Sequence, residues 1–349
     1  MEKVWAALET AQLDSLWVTT PENVRYLSGF TAPGDARVLL QAGSATLFTD
    51  SRYIVQAEEE SLLPAFIWRQ GDEWKAELKR RLEGVMVGFE ASNLTVAALE
   101  ELKELGGLNW TSSKGTLEAV RRVKTPDEVS KMRRAAQLTD AVLAEVLPML
   151  VPGTREKDVA LELEFRMRRA GADGAAFEII VASGPRSAMP HGTASSRQLE
   201  DGDLVTIDLG AKLEGYHSDM TRAYPVGEVS TELKRLYRAV KEAKRQALES
   251  ARAGVGCKAL DAVARDYLTL EGYGQAFSHS LGHGVGLAIH EAPKLSFRSA
   301  EDEVLELGNV VTLEPGVYVP GVGGVRLEDM VLILDTGCEV LTKSAEVDL

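Results

Sequence analysis

The sequence predicts an α/β (α+β) protein of two domains, a small one over residues 1–121 and a larger one over residues 122–349. Three observations support this organisation. A chain of 349 residues is longer than one hydrophobic core usually serves. Short apolar runs alternate with amphipathic stretches through the first part of the chain. A helix start at Thr125-Pro126-Asp127-Glu128, with an N-cap Thr, a Pro at the first helical position and a Glu at the third, then marks the boundary.

The composition excludes several classes of protein. A formal net charge of −14 gives no support to binding of nucleic acid or of an anionic membrane. The N-terminus lacks the apolar core of a signal peptide, and no apolar run reaches the length of a membrane span. The two cysteines are too few for a disulfide framework, which fits a reducing compartment. We therefore expect a cytoplasmic protein.

The first domain is predicted as a compact α/β unit. The expected strands are 16–19, 37–40, 45–48, 65–68 and 85–88, and the expected helices are 50–60, 73–82 and 95–105. Gln41-Ala42-Gly43-Ser44 is a hairpin signal between the second and third strands. The segment contains no histidine, so we expect its role to be architectural, in substrate selection or subunit pairing.

The second domain is predicted to pair long helices with antiparallel hairpins. The expected helices are 126–150, 155–170 (capped by Thr154), 231–252 and 258–270. The expected strands are 177–181, 204–211, 215–224, 310–319 and 325–334.

One stretch, from Ser278 to Glu291, concentrates the imidazoles. It holds three of the five histidines, His279, His283 and His290, among glycines and serines. Crowded imidazoles suggest metal binding or proton transfer. A Gly-rich loop with chance histidines is the alternative, and partners elsewhere in the chain must decide between them.

Two hairpins supply such partners. Val205, Ile207 and Leu209 alternate onto one strand face, so Asp208 points the other way. If the turn is Leu213-Glu214, Asp208 lies directly opposite Asp219, with Cβ atoms about 4.5–5.5 Å apart. Two carboxylates this close repel each other unless a cation or a proton lies between them.

The later hairpin repeats the arrangement. Glu314 faces away from its apolar neighbours, and Glu328 shares a face with Arg326. A three-residue turn, Pro320 to Val322, would place Glu314 opposite Glu328. Each acid alone is typical of a solvated surface. Four acids on two matched hairpins, with a histidine stretch between them, are typical of a dinuclear metal site. Such a mostly oxygen ligand set suits Mn²⁺ and also accepts Co²⁺, Zn²⁺ or Fe²⁺.

These residues resemble a known family. Asp208 and Asp219 separated by ten residues, then Gly282-His283-Gly284, Glu314-Pro315-Gly316 and Arg326-Leu327-Glu328-Asp329, are similar to the motifs of the pita-bread metallopeptidases. That family includes methionyl aminopeptidase, aminopeptidase P and prolidase. The resemblance implies a C-terminal pita-bread domain with a curved antiparallel sheet covered by helices. Tyr26-Leu27-Ser28-Gly29-Phe30 and Thr49-Asp50-Ser51-Arg52-Tyr53 resemble the creatinase/prolidase-type N-terminal domain, which favours the proline-specific branch.

The resemblance implies a ligand set for two divalent metal ions. Asp208 would chelate one ion. Asp219 and Glu328 would bridge both. His283 and Glu314 would complete the coordination of the second.

The resemblance also implies catalytic and substrate-binding roles. Glu314 would take a proton from the attacking water, and His279 would stabilise the oxyanion near the scissile carbonyl. His191 and His290 would orient the substrate and move protons, and Tyr216 would line the substrate cleft.

Further residues are expected to support or extend the site. Arg326 and Thr221 would support the carboxylates, and Arg326 would also contact substrate. His217 has no expected role. Several prolidases have an Arg four residues after the His matching His290, where it holds the dipeptide's carboxylate. Here Lys294 keeps the charge but lacks the bidentate fork.

The predicted function is therefore that of a prolidase, an Xaa-Pro dipeptidase that cleaves the imide bond of proline-containing dipeptides by attack of a metal-bridged hydroxide. The resemblance also implies a homodimer. Lys294 leaves open an aminopeptidase P that acts on longer peptides. A metal-free creatinase-like hydrolase and a catalytically silent binding module are two further alternatives, against which the intact ligand set argues.

Overall fold

The computed structural model describes residues 1–41, 43–82 and 85–349. The chain forms two compact units, Met1–Arg121 and Arg122–Leu349. Of the predicted hairpin signal at residues 41–44, Ala42 lies outside the described residues. None of the helices in the described ranges combines the length and the apolar character that crossing a membrane requires.

The N-terminal unit is an α/β sheet with helices. Its helices are α1 (Glu2–Thr10), α2 (Pro21–Ser28), α3 (Ile54–Glu60), α4 (Glu73–Leu82), α5 (Val96–Lys103) and α6 (Thr116–Arg122). Its strands are β1 (Ser15–Val18), β2 (Ala36–Gln41), β3 (Ser44–Asp50), β4 (Ala65–Trp68), β5 (Met86–Glu90) and β6 (Asn109–Ser113). The sheet order is β4-β3-β2-β1-β5-β6, and only β2 among these runs antiparallel to its neighbours.

Alternation along the strands explains why both faces of this sheet are covered. Leu16 and Val18 of β1 belong to one buried cluster, whereas Trp17 between them belongs to another. Successive side chains of a strand point to opposite faces, so a strand that is apolar throughout requires helices on both sides. The α/β prediction is confirmed, and the predicted strand 65–68 and helix 73–82 have the observed bounds. The sequence interpretation missed α1, α2, β6 and α6.

The C-terminal unit combines four long helices with antiparallel strands. Its helices are α7 (Pro126–Val146), α8 (Glu156–Arg169), α9 (Thr231–Ser250) and α10 (Cys257–Leu270). Its strands are β7 (Gly174–Ala175), β8 (Ile180–Ser183), β9 (Leu204–Leu209), β10 (Ala211–Leu213), β11 (Tyr216–His217), β12 (Met220–Pro225), β13 (Gly282–Gly284), β14 (Glu291–Leu295), β15 (Val310–Leu313), β16 (Gly316–Val319), β17 (Gly323–Arg326), β18 (Asp329–Leu334) and β19 (Gly337–Val340). Every pairing between these strands is antiparallel.

The N-termini of α7 and α8 show one capping prediction that is confirmed and one that is wrong. The predicted capping box at α7 is present, because Thr125 and Glu128 bond each other's backbone N–H groups. The predicted cap at Thr154 is wrong. The helix begins one residue later, and its N-cap Arg155 makes no side-chain cap. The carboxylate of Glu156 instead accepts from Ser183 and Ser195, a contact that local spacing does not reveal.

Four predicted strands of the second domain are interrupted. Residues 204–211 are interrupted at Gly210, and residues 215–224 divide into β11 and β12 at Ser218-Asp219. Residues 310–319 divide into β15 and β16 at Glu314-Pro315, where proline has no N–H to donate. Residues 325–334 divide into β17 and β18 at Leu327-Glu328. The strand predicted at 177–181 is observed at Ile180–Ser183.

Candidate metal centre

The first pair of acids is offset relative to its predicted register. Asp208 pairs with Thr221, not with Asp219. The turn is Glu214-Gly215, with φ of 50° and 83°, and not Leu213-Glu214. A two-residue hairpin turn with positive φ at both positions favours glycine at the second position, which moves the register by two residues. Asp208 and Asp219 are therefore diagonal neighbours.

The second pair has the predicted register. Val319 pairs with Gly323 across the three-residue turn, and Leu313 pairs with Asp329 beyond it. Both pairings follow one register, so Glu314 and Glu328 face each other at the break between the strands. Glu314 N–H donates to Leu281, and Glu328 N–H donates to Thr221, which ties both acids to neighbouring segments.

His283 enters the cluster from β13. Its Nδ1 lies 3.0 Å from the Gly284 carbonyl oxygen, which can only accept, so Nδ1 carries the proton. Its Nε2 therefore presents a lone pair, 3.6 Å from Asp219 Oδ2 and 3.5 Å from Glu314 Oε1. Ligand atoms of Asp219, His283 and Glu328 all lie within 4.8 Å of one another.

Burial makes this cluster electrostatically costly. Asp219 and Glu328 are 4% and 2% exposed. Burial, with the charge of Asp208, raises the pKa of Glu328 to about 8. Burial and the neighbouring carboxylates raise the pKa values of Asp219 and Glu314 well above their ordinary range. Carboxylates that crowd together without a cation hold protons that they would release to a metal.

Asp208 is partly compensated by protein groups. Its Oδ2 accepts from Arg326 at 2.7 Å. Its Oδ1 is buried and has no hydrogen-bond partner among the described residues. Arg326 also donates to the Thr221 hydroxyl at 3.0 Å, and that hydroxyl donates to Glu328 Oε2 at 2.7 Å. The Arg326 guanidinium thus links one acid of each hairpin: it contacts Asp208 directly and Glu328 through the Thr221 hydroxyl.

His279 is linked to the Arg326 guanidinium through Tyr318. Its Nε2 lies 3.0 Å from the Tyr318 hydroxyl, which accepts from Arg326 at 2.7 Å. Its Nδ1 lies 2.8 Å from the Ser280 carbonyl oxygen. Burial lowers the pKa of His279 to about 4, so the ring is neutral near pH 7. Because the Ser280 carbonyl can only accept, Nδ1 carries the single proton of the neutral ring, and Nε2 accepts from the Tyr318 hydroxyl. Donation from Nε2 to a substrate oxygen would therefore require the proton to move to Nε2 as well as loss of the Tyr318 contact.

Three of the predicted substrate residues are exposed: His191, His290 and Lys294. The ring of His290 lies 4.4 Å from that of His283. Lys294 pairs with His283 across the two strands, and its charge adds to the burial that lowers the pKa of His290. The predicted ligands are thus deeper than these three predicted substrate contacts.

Two other predicted substrate residues are largely covered. Tyr216 is 8% exposed, and its hydroxyl donates to Glu128 of the α7 capping box at 3.0 Å. Arg326 is 4% exposed and donates to protein oxygens. These contacts leave little of either side chain for a substrate. His217, which had no expected role, is buried with Nδ1 3.1 Å from the Gly286 carbonyl oxygen.

Sequence reasoning missed Tyr318 and Thr312. The period of two from Glu314 through Gly316 to Tyr318 puts all three on one face, and this pattern could have identified the tyrosine. A Cβ at Gly316 would lie 2.6 Å from the Tyr318 hydroxyl and 3.0 Å from His279 Nε2, so the glycine leaves room for their contact. The Thr312 hydroxyl accepts from the His283 N–H at 3.1 Å, a contact between strands that no spacing indicates.

The residues fit a divalent metal. Buried acids with raised pKa values, an unpaired oxygen of Asp208 and an imidazole lone pair aimed at two carboxylates form a mixed oxygen and nitrogen donor set. Such a set holds divalent first-row metals.

Comparison with protein families gives two matches. Residues 130–335 match the metallopeptidase family M24, and residues 1–123 match the creatinase/prolidase N-terminal domain.

Individual relatives cover nearly the whole chain. An Xaa-Pro dipeptidase of Pyrococcus furiosus is 37% identical over 345 residues, which is 99% of this chain and 97% of the relative. The solved structure of an Xaa-Pro dipeptidase from Bacillus anthracis has a TM-score of 0.94 at 42% identity, covering 99% of this chain and 97% of that one. That of an X-Pro aminopeptidase from Thermotoga maritima has a TM-score of 0.90 at 35% identity, covering 98% and 99%.

Proposed function

We propose, since this chain belongs to the metallopeptidase family M24, that it is an Xaa-Pro dipeptidase, which hydrolyses the imide bond of a dipeptide ending in proline. The observation that carries this proposal is the largely buried cluster of Asp219, Glu328, Glu314 and His283, whose acids have raised pKa values in spite of the nearby Arg326 guanidinium. The N-terminal match and the Xaa-Pro dipeptidases among the relatives support the substrate class.

We propose that two divalent ions are held by Asp208, Asp219, His283, Glu314 and Glu328. When bound, they would polarise the scissile carbonyl and make water a stronger nucleophile near neutral pH. We propose Mn²⁺ as the native ion, because four of the five donors are carboxylates, with Co²⁺, Zn²⁺ and Fe²⁺ as the other candidates.

We propose that Glu314 moves the proton that the reaction must transfer. The scissile nitrogen is the ring nitrogen of proline, which carries no hydrogen in the imide bond, so it leaves as an amine only after it gains one. Glu314 Oε1 lies 3.5 Å from His283 Nε2, and Oε2 lies 3.9 Å from His279 Nδ1. A carboxylate among these groups can take a proton from the attacking water and return it to the leaving nitrogen.

The exposed groups are proposed to hold the substrate. Lys294 would attract the carboxylate of the C-terminal proline, and His191 and His290 would orient the peptide. His279 would donate to the developing oxyanion as the tautomer with its proton on Nε2, which requires loss of the contacts with the Ser280 carbonyl and the Tyr318 hydroxyl. Tyr216 and Arg326 would act mainly on neighbouring protein groups, because they are nearly covered.

The units, assembly and location are part of the same proposal. We propose that residues 122–349 carry the catalytic site and residues 1–121 an accessory domain. We also propose a homodimer in the cytoplasm. Cys257 and Cys338 are unpaired, which fits a reducing compartment.

The decisive experiment compares Ala-Pro with Ala-Pro-Ala as substrates for the purified protein, whose metal content is measured on the same sample. We expect faster hydrolysis of the dipeptide and activity that chelation removes and Mn²⁺ restores. Full activity in a sample without metal would favour a creatinase-like hydrolase. Absence of hydrolysis in a metal-loaded sample would favour a binding module.

One observation favours a second candidate, an Xaa-Pro aminopeptidase. The similarity to the Thermotoga maritima X-Pro aminopeptidase covers the same length as the similarity to the dipeptidases. Lys294 also lacks the fork with which an arginine would hold a dipeptide's carboxylate. Rapid cleavage of Ala-Pro-Ala with slow cleavage of Ala-Pro would select this function.

A further inference from the structure

A cleft in the N-terminal unit lies where ligands bind in open α/β sheets. Strands β1 and β5 are parallel neighbours, and the chain builds β2 to β4 on one side of β1 and β5 to β6 on the other. Thr19 follows β1 and Asn93 follows β5, and both line the cleft. The cleft therefore lies beyond the carboxyl ends of two strands at the point where the strand order reverses, the usual ligand position in this architecture.

The walls of the cleft are aromatic. Its volume is about 430 Å³, which is within the range of small-molecule sites. The indoles of Trp17, Trp68 and Trp74 line it. The rings of Trp17 and Trp74 are nearly parallel, with an interplanar angle of 5° and centroids 6.1 Å apart. Flat indole walls are suited to an apolar ring, as in the aromatic grooves that bind proline-rich peptides.

One cationic group of the cleft, Arg37, feels the charges of Asp35 and Glu90 but forms no ion pair within the described part of the chain. The half-buried Arg37 donates through Nη1 to the carbonyl oxygens of Gly34 and Ala36, and it forms no ion pair with a described residue. Burial is the largest influence on its guanidinium and lowers its pKa. In contrast, Arg52 is paired with Asp35 and Asp50. Arg37 therefore has donors available for an anionic ligand.

The remaining charges select the kind of anion. The lining contains the carboxylates of Asp35, Asp50 and Glu101, and each lies against a cation: Arg52 pairs with Asp35 and Asp50, and Lys75 pairs with Glu101. Arg37 remains as a lining cation without an ion pair to a described residue, and its single charge matches a carboxylate better than a doubly charged phosphate. A zwitterion would place its carboxylate on Arg37 and its positive nitrogen toward the acids.

We infer that this cleft binds a small zwitterionic amino acid with a compact apolar ring, its carboxylate on Arg37 and its ring against the indoles. The choice of candidate rests on the proposed function, because free proline is a product of Xaa-Pro hydrolysis. Proline has a carboxylate, a positively charged nitrogen and a compact apolar ring. The cleft would then sense the product at a site outside the candidate metal centre.

Intrinsic fluorescence tests this inference directly. All five tryptophans lie within residues 1–121, and three of them line the cleft. L-Proline should cause a saturable change in tryptophan emission of the full-length protein, whereas glycine and inorganic phosphate at equal concentration should not. Arg37→Met should weaken binding by about tenfold or more, because a charge-assisted contact is lost. Arg69→Met, at an exposed arginine outside the lining, should leave binding unchanged.

Other outcomes overturn the inference. A flat titration with proline excludes the site. An equal response to glycine or phosphate excludes recognition of a ring zwitterion, and equal affinities of the two arginine variants exclude Arg37. If circular dichroism shows that Arg37→Met does not fold, Trp74→Leu replaces it and must weaken proline binding.

A titration of Asp219→Asn separates this inference from the proposed function. That variant should bind proline normally although its metal centre is disrupted. A wild-type protein that hydrolyses Ala-Pro but shows a flat titration would refute the cleft inference alone. Proline binding in a protein that hydrolyses no Xaa-Pro peptide would refute the function alone.

Discussion

Two neighbouring acids, Glu328 and Asp329, have nearly the same burial but opposite electrostatics. They are 2% and 4% exposed. Burial raises the pKa of Glu328 to about 8, with Asp208 as the next contributor. Burial would also raise the pKa of Asp329, but the charges of Arg222 and Lys244 outweigh it and the pKa is lowered. Adjacent residues of an extended segment point to opposite sides, so each acid has its own surroundings.

The two sides of this segment stabilise their buried carboxylates differently. Behind it, Asp329 accepts from Arg222 at 2.7 Å and from Thr342 at 3.0 Å, and it pairs with Lys244. In front, Glu328 accepts from Thr221, and the acids beside it share the single guanidinium of Arg326, which pairs with Asp208. The described residues thus give Asp329 two cations of its own, whereas the acids where a metal is proposed share one.

Loss of a ligand on the front side should have the largest effect. Asp219→Asn removes the charge from an acid of the central cluster, and we expect metal affinity and Ala-Pro hydrolysis to fall by more than about a hundredfold. Metal analysis and steady-state kinetics measure this. Asp127→Asn, at an acid whose side chain is 76% exposed, is the control and should keep full activity. Normal metal content in Asp219→Asn would refute the assignment of this ligand.

Loss of a cation beside Asp329 should lower the free energy of unfolding. Lys244→Met leaves Asp329 and Glu346 without this partner, and breaking a buried pair costs about 3–5 kcal/mol of unfolding free energy. Urea unfolding of the chelated protein measures the loss. Lys241→Met is the control, because Lys241 is itself 37% exposed, its near partner Asp348 is fully exposed and Glu346 lies 4.0 Å away, and we expect a much smaller change. Similar losses in both variants would mean that the back side is not specially stabilised.

The two sides should also differ in pH dependence once metal is removed. In metal-free protein Glu328 has a pKa of about 8, against 4.5 as its ordinary value. Between these values the folded state binds a proton that the unfolded state does not, so the free energy of unfolding falls as pH rises. We expect a loss of about 2–4 kcal/mol from pH 5 to pH 8. Urea unfolding at several pH values, with Mn²⁺-loaded protein as the control, should show a smaller slope with metal, and equal slopes would contradict the comparison.

Substitution of Arg326, which links the two hairpins, should have the smallest effect of these changes. Arg326→Lys keeps the charge but cannot reach Asp208, Thr221 and Tyr318 together, so we expect metal affinity to fall by about 10–100-fold. Calorimetric titration with Mn²⁺ measures this. Arg134→Lys, at an exposed arginine that pairs with Glu214, should bind metal like the wild type. Unchanged affinity in Arg326→Lys would show that the fork is not needed.

Local sequence features predicted much of the fold. Period-two alternation and turn residues located the strands beside the four acids, although only Asp208 lies within a strand and the other three lie at breaks that the alternation did not predict. The α7 capping box is visible in four consecutive residues. The three-residue turn at Pro320 to Val322 also gave the correct register for Glu314 and Glu328. The register at Asp208 failed because a shift of the turn by one residue moves every pair after it by two.

The sequence by itself determined which residues are available: acids on alternating faces, a glycine-flanked His283 and an acidic chain with unpaired cysteines. Only the tertiary structure decided which acids have cations. Arg222 and Lys244 meet Asp329 from 107 and 85 residues away in the chain. Periodicity reports only on neighbours within a helix or strand, whereas these contacts depend on how distant segments pack. That packing gives Asp329 two cations from the protein itself, whereas the acids beside Glu328 share one guanidinium, where we propose that a metal binds.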